Sequence, residues 1–272
     1  MDAPDSPPAD DRPGSNDPAD RAARAGRGQS GPAARSGQGR DGRGASVGGG
    51  PIGSRPVGPT GPRGTVVLVH GIWMHGLAMA PMSARLRRLG HRTRRFSYDF
   101  LTKTPAENGD ALAEFCRELD AEQAERAPVH LVGHSLGGIV VLHCLDRHPD
   151  LPIERVVLLG SPVRGSAVAR RVHANEILRP LLGRAGERGL LGDVPEFAGR
   201  QELGIVTGSG RFGLSALLFP LDEDGDGVVG ESETVIENAA ERVTVSDSHS
   251  ALMVSAQAAE LVARFVERGR FR

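Results

Sequence analysis

The chain has 272 residues, a formal net charge of −1 and two cysteines. Near-neutral charge removes the electrostatic case for a nucleic-acid partner. Two cysteines, Cys116 and Cys144, make neither a disulfide framework nor a metal-ligand spacing, and two buried free thiols are expected.

Composition is uneven along the chain. Residues 1–62 are dominated by Gly, Pro, Ala, Ser, Asp and Arg and carry no aromatic side chain. Such a stretch cannot bury enough apolar surface to offset the entropy of ordering it, so a disordered tail is expected. Its start, Met1-Asp2-Ala3-Pro4-Asp5, lacks the basic-then-apolar layout of a secretory signal, which favours a cytoplasmic location. No run approaches the roughly 18 apolar residues of a membrane span, so no transmembrane segment is expected. Residues 63–272 then form one domain with room for a substantial core.

Within that domain the first element is Thr65-Val66-Val67-Leu68-Val69, a wholly apolar run that reads as a buried parallel strand. A helix follows around Met79–Leu89, and a second strand at Arg94–Tyr98. Residues 108–125 place Leu112, Phe115, Cys116 and Leu119 at helical spacing. Val129–Val132 is the third strand, Leu136–Arg147 a helix, and Arg155–Leu159 the fourth strand. An irregular stretch, 161–200, comes next; its section 166–200 has the apolar content of a small cap. Leu203–Thr207 and Arg242–Val245 complete six strands, and Ser255–Glu267 is a closing amphipathic helix. Strands alternating with helices predict an α/β fold: about six strands, mostly parallel, with helices on both faces.

Gly133-His134-Ser135-Leu136-Gly137 joins the third strand to the next helix. Strand, Gly-flanked serine and helix are the layout of a nucleophile elbow, where glycines permit a turn too tight for larger side chains. A serine hydroxyl needs a base to take its proton and an acid to orient that base. In this layout both follow the serine. Only His173 and His249 lie beyond residue 150, and His249 sits just after the sixth strand at the same sheet edge as Ser135. The acid is expected between the last two strands. Asp226 precedes Gly227-Val228-Val229 and suits a tight turn, with Asp222 and Asp224 as alternatives. Asp247 reads as a solvated loop charge.

An oxyanion needs two preorganised amide donors. The N–H of Leu136 is one, and the N–H of Ile72, after the first strand, is the other. His70 as base is the rival reading, but it precedes the serine and more readily shapes the loop. His134 reads as a packing residue. Trp73 and Met74 follow the oxyanion loop and are candidates to touch substrate, equally placed to be ordinary core.

The chain resembles the α/β-hydrolase fold, and within it the small bacterial lipases and esterases. The resemblance rests on Val69-His70-Gly71-Ile72, Gly133-His134-Ser135-Leu136-Gly137-Gly138, Gly160-Ser161-Pro162-Val163-Arg164-Gly165-Ser166, Asp226-Gly227-Val228-Val229 and Ser248-His249-Ser250-Ala251-Leu252, across roughly residues 64–268. It implies a minimal member of the fold that cleaves a small-molecule or lipid ester through a serine acyl-enzyme, with no cofactor. It carries over Ser135 and His249, and Asp226 as the acid. The same triad would serve amide or thioester hydrolysis or acyl transfer to an alcohol.

One segment points elsewhere. Asp222, Asp224, Asp226, Gly227 and Glu233 match the calcium-loop pattern of acids at positions 1, 3, 5 and 12 with glycine at 6. Pro220 breaks an entering helix, no second loop exists to pair with it, and a bound cation would absorb the charge Asp226 needs to orient a histidine. An acidic surface loop containing the catalytic aspartate is the favoured reading. A non-catalytic calcium-binding or regulatory protein on the same fold is the alternative.

Overall fold

A computed structural model describes residues 64–122, 127–210, 221 and 223–272. The expected tail, 1–62, and Asp222 fall outside the described residues. Six strands form one sheet: β1 (Thr65–Val69), β2 (Arg92–Phe96), β3 (Val129–His134), β4 (Ile153–Leu159), β5 (Glu202–Gly208) and β6 (Glu241–Val245). Their order is β2-β1-β3-β4-β5-β6, and every pairing is parallel. Among the described residues the α-helices are α1 (Ala80–Arg88), α2 (Pro105–Glu122), α3 (Leu136–Arg147), α4 (Ala167–Ala174) and α5 (Ala256–Arg268).

Several boundaries shift by one to three residues, and two of the starts do so for a clear physical reason. β2 begins at Arg92, not Arg94. It is an edge strand, so exposed and buried residues alternate along it and no apolar run marks its start. α2 begins at Pro105, not Asn108. The Glu107 carboxylate accepts from the Thr104 N–H at 2.7 Å, and Thr104 Oγ1 accepts from the Glu107 N–H at 3.2 Å. This is a capping box with proline at the first helical position.

Alternation along the buried strands divides the core into two layers. Val67, Val69, Leu131, Val156, Leu158 and Ile205 face α2 and α3. Val66, Leu68, Val132, Val157, Leu159 and Val206 face α1 and α5. Each fully buried aliphatic side chain contributes about 1.5–3 kcal/mol. Cys116 and Cys144 lie unpaired in the first layer, and burial pushes the Cys116 thiol up to about 12. Among the described residues no helix is long and apolar enough to cross a membrane.

Phe265 of α5 is fully buried, with its ring 4.8 Å from that of Phe271. Phe265→Ala is expected to cost about 3–5 kcal/mol. The check is a lower urea midpoint with an unchanged denaturant slope.

Candidate active site

β3 ends at His134 and α3 begins at Leu136, leaving Ser135 alone to make the turn. It does so at φ 54° and ψ −125°, a region that costs a side-chain-bearing residue roughly 1–3 kcal/mol. Packing and hydrogen bonds hold it there. The Ser135 N–H donates to the Leu159 carbonyl of β4 at 2.9 Å, and the Ser135 carbonyl accepts from the Gly138 N–H at 3.0 Å. A Cβ on Gly133 would lie 2.5 Å from the Gly138 Cα, so the turn closes only with glycine at that position. Leu136, the first helical residue, carries an amide that α3 itself cannot satisfy, at the positive end of the helix dipole.

His249 follows β6 in the loop that leads into α5. Its Nδ1 lies 2.7 Å from Asp226 Oδ2, and both side chains are buried. The other Asp226 oxygen, Oδ1, accepts from the N–H groups of Val228 at 3.0 Å and Val229 at 2.8 Å. The two backbones are also joined, His249 N–H to the Asp226 carbonyl at 3.0 Å. An aspartate accepting at Oδ2 places the imidazole proton on Nδ1 and leaves Nε2 as the acceptor. Gly160, just past β4 at φ +52°, faces this pair; a Cβ there would sit 2.9 Å from Asp226 Oδ2 and 3.2 Å from His249 Nδ1. Among the described candidate acids, Asp226 is the one whose carboxylate meets His249. Asp224 is exposed, and Asp222 lies outside the described residues.

The loop after β1 closes the other side. Gly71 packs against Ser135, 3.1 Å from its Cβ to a Cβ built on Gly71. His70 shapes this loop. Its Nδ1 bonds the Gly71 carbonyl at 2.8 Å, its Nε2 accepts from the Tyr98 N–H at 3.4 Å, and its ring stacks on Tyr98 at 4.4 Å. Ile72, the candidate second amide donor, is half-buried against the cluster that contains Leu136 and Ile139. Trp73 has φ 57° and is 58% exposed, with its indole N–H donating to the Leu181 carbonyl at 2.8 Å. Met74 instead turns toward the core layer beneath α1 and α5. Within 166–200, Leu182 and Leu190 are buried against α3, while Ile177 and Leu181 are exposed. That stretch therefore divides its apolar residues between core and surface.

His134, read as a packing residue, and Glu233, read as position 12 of a calcium-loop pattern, have defined places. His134 Nε2–H donates to the His249 carbonyl at 3.0 Å, so the residue before the serine holds the loop of the histidine. Burial pushes its pKa down to about 3. Glu233 is buried and accepts from the N–H groups of Ala167 at 2.5 Å and Gly230 at 3.0 Å. It thereby caps α4, and burial raises its pKa. The carboxylates of Asp226 and Glu233 are thus both engaged by donors within the protein. Among the described residues, no group of three or more His, Cys, Asp or Glu side chains is arranged to hold a metal ion. Asp247 is half-buried with Oδ2 enclosed, rather than a solvated charge, because Gly208 and Gly210 pack against its backbone. His173 is exposed on α4.

A family model described as the alpha/beta hydrolase family matches residues 66–264. Among solved structures, the mature form of the Bacillus licheniformis lipase BlEst2 is similar at 20% identity and TM-score 0.63, over 76% of this chain and 92% of that one. The metagenomic carboxyl esterase MGS0156 is similar at 19% identity and TM-score 0.57, over 80% of both chains. Phospholipase PlaB from Legionella pneumophila is similar at 16% identity and TM-score 0.60, over 76% of this chain and 60% of that one. No curated protein matches the chain. With a six-stranded parallel sheet, a serine elbow after β3 and a family match over most of its length, the chain belongs to the alpha/beta hydrolase family.

Proposed function

We propose that this protein is a serine hydrolase of carboxylic esters, with Ser135 as nucleophile, His249 as general base and acid, and Asp226 as orienting acid. The observation that carries the reading is the buried His249 Nδ1–Asp226 Oδ2 contact of 2.7 Å, in a protein whose elbow serine is held at positive φ. The lipase, carboxyl esterase and phospholipase among its structural neighbours agree with that chemistry.

In the first half-reaction Ser135 Oγ attacks the ester carbonyl carbon while His249 Nε2 takes the hydroxyl proton. The carbonyl oxygen becomes an oxyanion, received by the amides of Leu136 and Ile72. Collapse breaks the bond to the alcohol, which leaves with the proton from His249. Water then enters, gives its proton to His249 and attacks the acyl carbon. The acid leaves and the proton returns to Ser135. Asp226 keeps the Nδ1 proton in place throughout and balances the imidazolium charge as it forms. Trp73, exposed beside the oxyanion loop, borders the approach of substrate, and Met74 lies behind it. The residues present supply every proton transfer, so the scheme uses no cofactor.

A fluorophosphonate probe is expected to label Ser135 in the folded protein and to fail on Ser135→Ala. Unlabelled Ser135 in folded protein would overturn the reading. On p-nitrophenyl esters, Ser135→Ala is expected to lower kcat roughly 10⁶-fold and Asp226→Asn roughly 10⁴-fold. Unchanged turnover in Asp226→Asn would remove that residue from the triad. Ser135→Gly, which relieves the positive φ, is expected to be inactive yet more stable by about 1 kcal/mol, read by thermal unfolding.

A further inference from the structure

Beside the serine elbow lies an apolar surface that the catalytic scheme leaves unused. Trp73, Leu77, Leu101, Ile177 and Leu181 are each at least half exposed, Ile177 the most at 86%. They come from three separate parts of the chain, and the contacts between those parts join them. The Trp73 indole donates to the Leu181 carbonyl, and the Arg184 N–H donates to the Leu101 carbonyl at 3.1 Å. Leu182, next to Leu181, is buried with Leu136 and Ile139, and half-buried Ile72 packs against them. Trp73, Leu101 and Leu181 therefore adjoin the apolar cluster that packs on the first turn of α3.

Charge is skewed around this surface. Between residues 170 and 188 there are five arginines and two glutamates. Lys103 and Arg179 are exposed in the turns that carry Leu101, Ile177 and Leu181; Arg170 and Arg171 lie on α4, before Ile177, with Arg170 3.8 Å from the Glu233 carboxylate. Glu176, beside Ile177, is exposed, while the other nearby acids are answered within the protein. Asp99 accepts from Thr102 and the Leu101 N–H, and Glu107 and Glu187 pair with Arg184. Exposed tryptophan and aliphatic side chains interspersed with cations match the interface of an anionic bilayer. The core of a protein–protein interface is depleted in charge, and this surface is not.

We propose that this surface docks on an anionic phospholipid bilayer, with Trp73 at headgroup depth and Ile177 and Leu181 below it. The proposal deepens the ester-hydrolase reading and rests on it for the substrate class. Docked in this way, the Ser135 elbow faces a source of acyl esters, and a lipid acyl chain reaches it without crossing bulk water. The indole tether to Leu181 couples the docked surface to the oxyanion loop one residue away.

Trp73 is the only tryptophan in the chain, so intrinsic fluorescence reports on this surface alone. The full chain is titrated with phosphatidylglycerol vesicles and, separately, with phosphatidylcholine vesicles. The expected result is a blue shift of Trp73 emission and co-sedimentation with phosphatidylglycerol only, weakening as salt rises. Ile177→Ser with Leu181→Ser is expected to abolish both signals, with circular dichroism confirming the fold. Lys103→Ala and Arg179→Ala are each expected to weaken vesicle affinity about fivefold. No shift with phosphatidylglycerol, equal binding to both lipids, or wild-type binding by the double serine variant would overturn the proposal. Self-association without lipid that the double variant abolishes would assign the surface to a second copy and also overturn it. Binding is scored without turnover, so an inactive but vesicle-bound protein would sink the ester-hydrolase reading and leave the docking surface standing.

Discussion

The backbone of Ser135 cannot relax. Its φ of 54° places it where side-chain-bearing residues rarely sit, and the strain is held from two sides. On one, its amide is bonded to β4; on the other, its carbonyl is bonded into the first turn of α3. Relaxing the turn would break both bonds and tear α3 from the sheet. The direction of α3, the free amide of Leu136 and the approach of Gly71 all follow from this one turn. A strain of a few kcal/mol is tolerable because the two apolar layers clamp the strand and helix that flank it.

Parallel pairing carries the constraint outward. The strands end at the same edge, and beyond the ends of β3, β4 and β5 an amide donates to the next strand. Ser135 donates to Leu159, Gly160 to Val206, and Ser209 to Val245. The chain is thus stepped from the elbow to the loop of His249 along a rigid edge. His249 is then fixed through its ring, its amide and its carbonyl, the last by His134. Serine loop and histidine loop are therefore connected through backbone as well as through any reaction between them. Such over-determination suits a proton relay, in which small misplacements are costly.

The opposite side is built differently. Trp73 is half exposed and joined to Leu181 by a single hydrogen bond, while the neighbouring leucines divide between core and solvent. One side of the edge is thus closed by buried, multiply bonded polar groups. The other presents apolar and cationic side chains to the surroundings.

Much of this was legible in the amino-acid order. Uninterrupted apolar runs announced β1, β3 and β4 because strands buried on both faces need no polar alternation. The glycine-flanked serine announced the elbow, and histidine after the last strand announced its partner. Thr104-Pro105-Ala106-Glu107 carried the start of α2 in a capping box. By itself, the sequence determined the fold class and the order of elements, and it placed a serine at the turn after β3 and a histidine after β6, since these are set by local periodicity and by position along the chain. Only the tertiary structure decided which acid meets His249, and that Glu233 turns to α4 and His134 to the His249 carbonyl. Asp224 and Asp226 are chemically alike and two residues apart. What separates them is the turn that follows, whose Val228 and Val229 amides hold Asp226 Oδ1 and bury that carboxylate beside an imidazole, whereas Asp224 is exposed.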